Sequence, residues 1–266
     1  MASNGIPSIA TIQGLDVAVR HAASQGNRAA AGHARVHRKP PDNKLHSATL
    51  ALRLALRQPL VAERGNRSAC YRITKRAMDL VGALVLLGLL SPLMAATFLV
   101  LLVTTRGRPL FVQERLGLRG LPFPMFKFRT MYLDAERRQH EVRNEQSGPV
   151  FKNRRDPRVT RIGRILRALS IDELPQLFNV LAGHMSLVGP RPPVAKEVAR
   201  YEPWQLERLS VKPGLTCLWQ VSGRCEIGFE DWVRMDLWYV EHQSLWTDLK
   251  LLWKTPASVL SRRGAY

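Results

Sequence analysis

Leu80 to Val103 is a run of 24 residues without one charged side chain. As a straight helix it would be about 36 Å long, enough to cross a hydrocarbon core of about 30 Å. A run of that length and polarity restricts the chain to three arrangements: a spanning helix, a helix that enters the bilayer, bends and returns, or a kinked helix inside a large core. Ser91-Pro92 lies at its middle, where proline removes a backbone donor and breaks the ladder of hydrogen bonds. Both flanks are basic, with Arg72, Lys75 and Arg76 before it and Arg106 and Arg108 after it. Positive charge on both sides selects neither end for the outside. The re-entrant helix satisfies both facts, and the uninterrupted apolar length disfavours the core helix.

The second constraint is Arg155 to Pro193. Seven basic residues, Lys152, Arg154, Arg155, Arg158, Arg161, Arg164 and Arg167, stand just ahead of a carboxylate pair, Asp172-Glu173. A proline-stiffened loop with one arginine, Gly189-Pro190-Arg191-Pro192-Pro193, comes after it. Cations beside carboxylates suit a phosphate-bearing substrate: the basic groups hold phosphate oxygens, and the acids hold a hard metal ion or attack phosphorus. The competing reading is a capping box, with Ser170 as N-cap and Glu173 three residues on. Pro175 opposes it, because it would fall where a helical N–H is needed. A helix opening at Pro175 leaves Asp172 and Glu173 in the turn before it, beyond its positive end.

The net charge is +19, of which +10 falls on the first 76 residues. Nucleic acid, anionic lipid and phosphorylated substrates are all compatible with that charge. No helix-turn-helix, zinc-finger or RNP pattern is visible, and an apolar segment of this length speaks against a nucleic-acid partner. Cys70, Cys217 and Cys225 form no CxxC pair, so a zinc site is not expected. No G-x-G-x-x-G follows a strand, so a Rossmann domain is not expected.

Residues 1–70 read as a basic, disordered tail without the apolar region of a secretory signal. Within it, His46 to Leu56 has the pattern of a short basic amphipathic helix, against which stands a solvated tail. Residues 71–105 read as the membrane helix and 106–266 as the domain that carries the acids and arginines. Pro109 to Val112 and Phe123 to Phe128 predict short strands. Arg115, Arg119, Lys127 and Arg129 would face headgroups or phosphate, or water. Tyr132 to Asn144 and Val194 to Leu209 predict helices, and Leu218 to Val221 a short strand. Trp232, Tyr239, Trp246 and Trp253 recur every seven residues. On one continuous helix they would share a slowly drifting face, resting on a bilayer or packed in a core. A bend near Ser244 would divide them.

SIDELPQLFNVLAGHMSLVGPRP resembles the signature of the bacterial sugar transferases, the monotopic phosphoglycosyl transferases. Further blocks match in order: Lys75-Arg76 with Asp79; Ser91-Pro92; Pro109-Leu110-Phe111 with Gln113, Arg115 and Gly117; Lys127 to Met131; Asp156-Pro157-Arg158; and Pro213 to Thr216 through Gly223-Arg224. Ile171, His184 and Cys217 depart from the usual residues. The resemblance implies transfer of a sugar 1-phosphate, a hexose 1-phosphate first of all, from a UDP-sugar to undecaprenyl phosphate, with release of UMP. It implies that Asp172 is the nucleophile, that Glu173 with Asp172 holds Mg²⁺ or manages a proton, and that Arg167 binds phosphate. Arg191, Asp236 and Asp248 are matched to the nucleotide, phosphate or metal region, and Ser91-Pro92 to the re-entrant bend. It implies that 106–266 is a cytoplasmic catalytic domain, and it places the enzyme on the cytoplasmic face of the bacterial inner membrane, against anionic lipids, in exopolysaccharide or related synthesis. The implied fold is α+β, mainly helical with a small β-sheet and interfacial amphipathic helices. A homo-oligomer is left open. The rival reading is a basic, membrane-docked binding or scaffold protein, which explains the charge and the apolar run but not the acids among the arginines.

Overall fold

The structure is a computed structural model that describes residues 53–54, 58–65, 68–145, 148–224, 227–261 and 264. Most of the basic tail, and nearly all of the proposed 46–56 helix, lies outside the described residues. Residues 58–65 are described and pack onto the body: Leu60 is buried, and its N–H donates to the Arg119 carbonyl.

Helix α1 (Ala69–Thr104) absorbs the whole uncharged run and is long and apolar enough to cross a membrane. At about 1.5 Å per residue its path is about 54 Å. Ser91 and Pro92 lie inside it. Proline 92 has no N–H for the Gly88 carbonyl one turn back, and Ser91 Oγ donates to that carbonyl at 2.9 Å instead. Most of the uncharged run is at least partly exposed, with Leu89 and Val103 among its most open side chains.

Strands β1 (Leu110–Leu116) and β2 (Pro122–Phe128) form an antiparallel hairpin, as the two apolar pieces predicted. The turn needs Gly120, whose φ is +78° and against which Leu60 packs too closely for a side chain. Helix α2 (Arg161–Ala168) is capped by Thr160, whose Oγ1 accepts from the Gly163 N–H at 2.9 Å. A single turn, Ile171–Glu173, leads into α3 (Gln176–Leu181), with Pro175 as its first cap. Ser170 makes no capping hydrogen bond, so the two acids are not half of a capping box.

The second sheet is a parallel pair, β3 (Ser186–Val188) beside β4 (Gly214–Thr216). Three predicted elements differ. Tyr132 to Asn144 gives only a 3₁₀ stretch, Arg137–Glu141. Val194 to Leu209 is divided into α4 (Ala195–Val198) and a 3₁₀ stretch, Pro203–Ser210. Pro203 imposes an extended conformation on Glu202 and interrupts the helix there. The strand lies at Gly214–Thr216, not at Leu218 to Val221, which form α5 (Leu218–Ser222).

Helices α6 (Phe229–Glu241) and α7 (Leu245–Leu260) close the fold. Ser244 caps α7 and separates the two, which divides the seven-residue stripe. Trp232 and Tyr239 are core, with Trp219 stacked on Trp232 at 4.4 Å, whereas Trp246 and Trp253 are 59% and 84% exposed. The architecture is therefore mainly helical with two small pieces of sheet.

Candidate active site

The site is assembled on the turn between α2 and α3. Thr130 anchors its first half. Its carbonyl accepts from the Thr160 N–H at 3.0 Å, and its hydroxyl accepts from Arg167 Nε at 2.9 Å. Gly163 passes so close to the Thr130 carbonyl that a side chain there would collide with it. Behind this contact, Asp156 and Arg158 form a buried, two-pronged ion pair that closes the preceding turn. Arg167 thus leaves the last turn of α2 on a fixed backbone.

After α2 the chain turns through Ser170, whose φ of +54° lies in the left-handed region, and delivers Asp172 and Glu173 on the next turn. Asn179 sets the position of α3. Its amide donates to the Pro124 carbonyl at 2.6 Å, and its carbonyl oxygen accepts from the Phe126 N–H at 3.0 Å. These bonds satisfy the outer edge of β2 and bring α3 alongside Lys127. The other end of α3 is held by the membrane helix: Arg76 donates to the Val180 and Leu181 carbonyls at 2.7 and 2.8 Å.

Glu173 Oε1 accepts from Lys127 at 2.8 Å and from Arg191 at 3.1 Å. Burial opposes its ionisation, but the two cations overcome that effect and hold its carboxyl well below the usual range. Asp172 is 7% exposed, and no hydrogen bond reaches its carboxylate among the described residues. Burial, aided by the charge on Glu173 and opposed by Lys127, pushes it up to about 6. Adjacent carboxyls thus have separated roles: one is fixed and paired, the other is held back from ionisation and lacks a donor.

Arg191 reaches Glu173 because its loop is tied down. Arg208 donates to the Arg191 carbonyl at 3.2 Å, Arg115 to the Pro192 carbonyl at 3.1 Å, and the Leu116 N–H to the Pro193 carbonyl at 2.9 Å. The loop crosses β4 at Gly214, where any side chain would strike the Gly189 backbone. Burial and the neighbouring Arg191 push Arg115 down to about 10.

Asp172, Glu173, Arg167 and Arg191 are therefore brought together, while Asp236 and Asp248 make no contact with them among those observed. Asp236 is buried in an ion pair with Arg208. Asp248 is fully buried and accepts from Lys75 at 2.9 Å, Tyr71 at 3.1 Å and Tyr239 at 2.6 Å. Asp236 is thus linked through Arg208 to the loop of Arg191, and Asp248 is bound at the base of α1. Lys127, Thr130 and Arg208 are contributors whose roles the sequence did not show; only Lys127, a lone cation in an apolar strand, carried a local signal.

Among the described residues, no three histidine, cysteine, aspartate or glutamate side chains gather into a metal cage. The donor set still fits Mg²⁺, which is held by one or two carboxylates together with substrate phosphates and water. Asp172 has both oxygens without a donor, and Glu173 has Oε2 beside its occupied Oε1.

The family described as bacterial sugar transferase matches residues 70–262, which include every element of this site. The chain belongs to the bacterial sugar transferase family. Its curated relatives include the galactosyl transferase CpsE of Streptococcus agalactiae serotype III, strain NEM316, 45% identical over 73% of this chain and 44% of the relative. The undecaprenyl-phosphate galactose phosphotransferase of Salmonella typhimurium is 44% identical over 73% of this chain and 42% of the relative. The exopolysaccharide production protein ExoY of Rhizobium meliloti is 38% identical over 73% of this chain and 88% of the relative. The chain thus matches less than half the length of the first two relatives, but most of the third.

Proposed function

We propose that this sugar transferase moves a hexose 1-phosphate, galactose or glucose 1-phosphate, from a UDP-sugar to undecaprenyl phosphate and releases UMP. The observation that carries the reading is the divided carboxylate pair. Glu173 is committed to Lys127 and Arg191, while the Asp172 carboxylate beside it has no hydrogen-bond donor among the described residues and faces a cationic surround. The names of the relatives in Streptococcus agalactiae and Salmonella typhimurium favour galactose as the sugar.

In the first step an Asp172 oxygen attacks the β-phosphorus of the nucleotide sugar. The bond from that phosphorus to the bridging oxygen breaks, and UMP leaves with the electron pair. In the second step an oxygen of undecaprenyl phosphate attacks the same phosphorus and Asp172 is regained as a carboxylate. Arg167 and Arg191 neutralise phosphoryl oxygens in both steps. Mg²⁺ held by Asp172 and Glu173 would supply further charge neutralisation at the diphosphate.

The membrane reading is that α1 enters the cytoplasmic leaflet of the inner membrane and returns. It is supported by where the two ends of α1 pack. Near its start, Asp79 accepts from the Ser186 hydroxyl and the Leu187 N–H, both at 2.9 Å. Near its end, Leu101 packs with Phe128 and Leu166. Both ends thus rest on the same body, and the Ser91-Pro92 step provides the place to turn. A lipid phosphate presented at headgroup height would then meet Asp172 without the polyprenyl chain leaving the bilayer.

The full chain in nanodiscs with undecaprenyl phosphate and Mg²⁺ should release UMP from UDP-galactose or UDP-glucose. An N-acetylhexosamine nucleotide as the preferred donor would correct the sugar. No monophosphate from any nucleotide sugar would overturn the enzyme reading in favour of a docking or scaffold protein.

A further inference from the structure

Arg224 is the buried arginine that the site above leaves unexplained. It is 7% exposed. Arg158 and Arg208, the other arginines buried to that degree among the described residues, are each paired with an aspartate. Arg224 has no acidic partner among the described residues; its guanidinium makes one long hydrogen bond, 3.4 Å, to Ser170 Oγ, and its Nε has no partner. A guanidinium keeps its charge in a protein, and a buried charge without a counter-charge is destabilising. The backbone adds to that cost. Arg224 sits at φ +52°, directly after Gly223 at φ +142°, which ends α5. The serine it touches is also left-handed, at φ +54°, and stands two residues before Asp172. Two strained positions are thus joined through their side chains at the edge of the carboxylate turn.

We infer that Arg224 is a further anion-binding residue of this site, whose free donors take phosphate oxygens of the nucleotide sugar's diphosphate. The inference rests on the reaction proposed above, which brings a diphosphate to Asp172. The neighbouring cations have other bonds to keep: Arg191 is engaged with Glu173 and Arg167 with Thr130. Arg224 follows α5, meets the turn at Ser170, and can grip oxygens with two prongs. The leaving phosphate of UMP is included in that chemistry, so Arg224 would bind the donor and the product but not the lipid acceptor.

The test is Arg224→Ala in the full chain in nanodiscs, read by UMP release. The KM for UDP-galactose should rise about tenfold or more, as expected for a lost charge-assisted contact. The KM for undecaprenyl phosphate should stay within about twofold, and added guanidinium should recover part of the lost donor affinity. An unchanged donor KM would overturn the inference. So would a parallel loss of kcat, both affinities and thermal stability without rescue, which would make Arg224 a purely structural support for Ser170. If the wild-type chain turned over no nucleotide sugar, the proposed function would fail separately, and calorimetric binding of UDP would then decide. Weaker UDP binding by the variant would still support an anion site; equal binding, or none by either protein, would overturn it.

Discussion

Lys127 Nζ lies 2.8 Å from Glu173 Oε1, and both side chains are largely withdrawn from water. This contact joins the β-hairpin to the turn that carries the two acids and bears on the electrostatics of the neighbouring acid. Together with Arg191 it keeps Glu173 ionised, and the charge on Glu173 helps keep Asp172 from ionising. Lys127 also acts on Asp172 directly, in the opposite sense.

The first prediction is a pH profile. In the proposed reaction Asp172 attacks phosphorus only when ionised, and burial pushes its pKa up to about 6. UMP release should therefore rise with pH through about 6 and level off above it. Lys127→Met removes a cation that lowers the Asp172 pKa, so the acidic limb should move to higher pH, by about one unit or more. A limb that stays in place, or moves down, would show that another group titrates there.

Legibility in the sequence tracked the range of the interactions. The Asp172-Glu173 pair and the Arg191 loop were readable because each lies on one short stretch, and Pro175 fixed where α3 could start. The partner of Glu173 was not, because Lys127 is 46 residues away on a separate hairpin. Asp236 and Asp248 looked like site acids because matched blocks carry no depth. Burial against Arg208 and Lys75 gives them their place, and the latter partner is 173 residues distant. The Trp232 to Trp253 repeat was real as spacing. It did not describe one face, because α6 ends at Glu241 and Ser244 caps the next helix.

The Asp248 cluster predicts a stability effect. Asp248→Ala leaves Lys75 partly buried without its acid and removes the acceptor shared by Tyr71 and Tyr239. Breaking such a pair should cost about 3–5 kcal/mol. Thermal or denaturant unfolding in detergent measures it, and a loss near zero would mean that α1 is not held at this point.

Asp236 makes a separate linkage prediction. Burial pushes its pKa up to about 6, with Arg208 opposing. Between about pH 4 and pH 6 the folded chain keeps a proton that the unfolded chain has released. Its contribution to stability is therefore greatest below that window, falls as pH rises through it, and is flat above. The stability difference between wild type and Asp236→Asn should show that slope; a difference independent of pH would contradict the raised pKa.

Topology is predicted by the two ends of α1 resting on one body. In a cysteine-free background, Ser68→Cys and Arg108→Cys should both resist an impermeant thiol reagent applied to intact cells. Labelling of either from outside would sink the re-entrant reading. Pro92→Ala restores the N–H that the Gly88 carbonyl lacks and should shift Arg108→Cys toward labelling.

The last prediction separates the two acids. In the proposed reaction the covalent step falls to Asp172, whose carboxylate meets no hydrogen-bond donor among the described residues. UDP-galactose labelled in its β-phosphate should mark the wild-type chain in the absence of acceptor, and undecaprenyl phosphate should remove the mark. Initial rates with both substrates varied should give parallel lines. Asp172→Asn should lose the mark and at least about a thousandfold in turnover, because the amide keeps the shape but is a poor nucleophile. Glu173→Gln should behave differently. It weakens the grip of Lys127 and Arg191 and removes a carboxylate oxygen that would hold Mg²⁺ in the proposed reaction, so the Mg²⁺ needed for half-maximal rate should rise about tenfold while some labelling survives. Full activity after chelation would remove the metal from the scheme altogether. Turnover by Asp172→Asn near the wild-type rate, with intersecting kinetics and no marked protein, would instead mean that the lipid phosphate attacks directly and that Asp172 only binds.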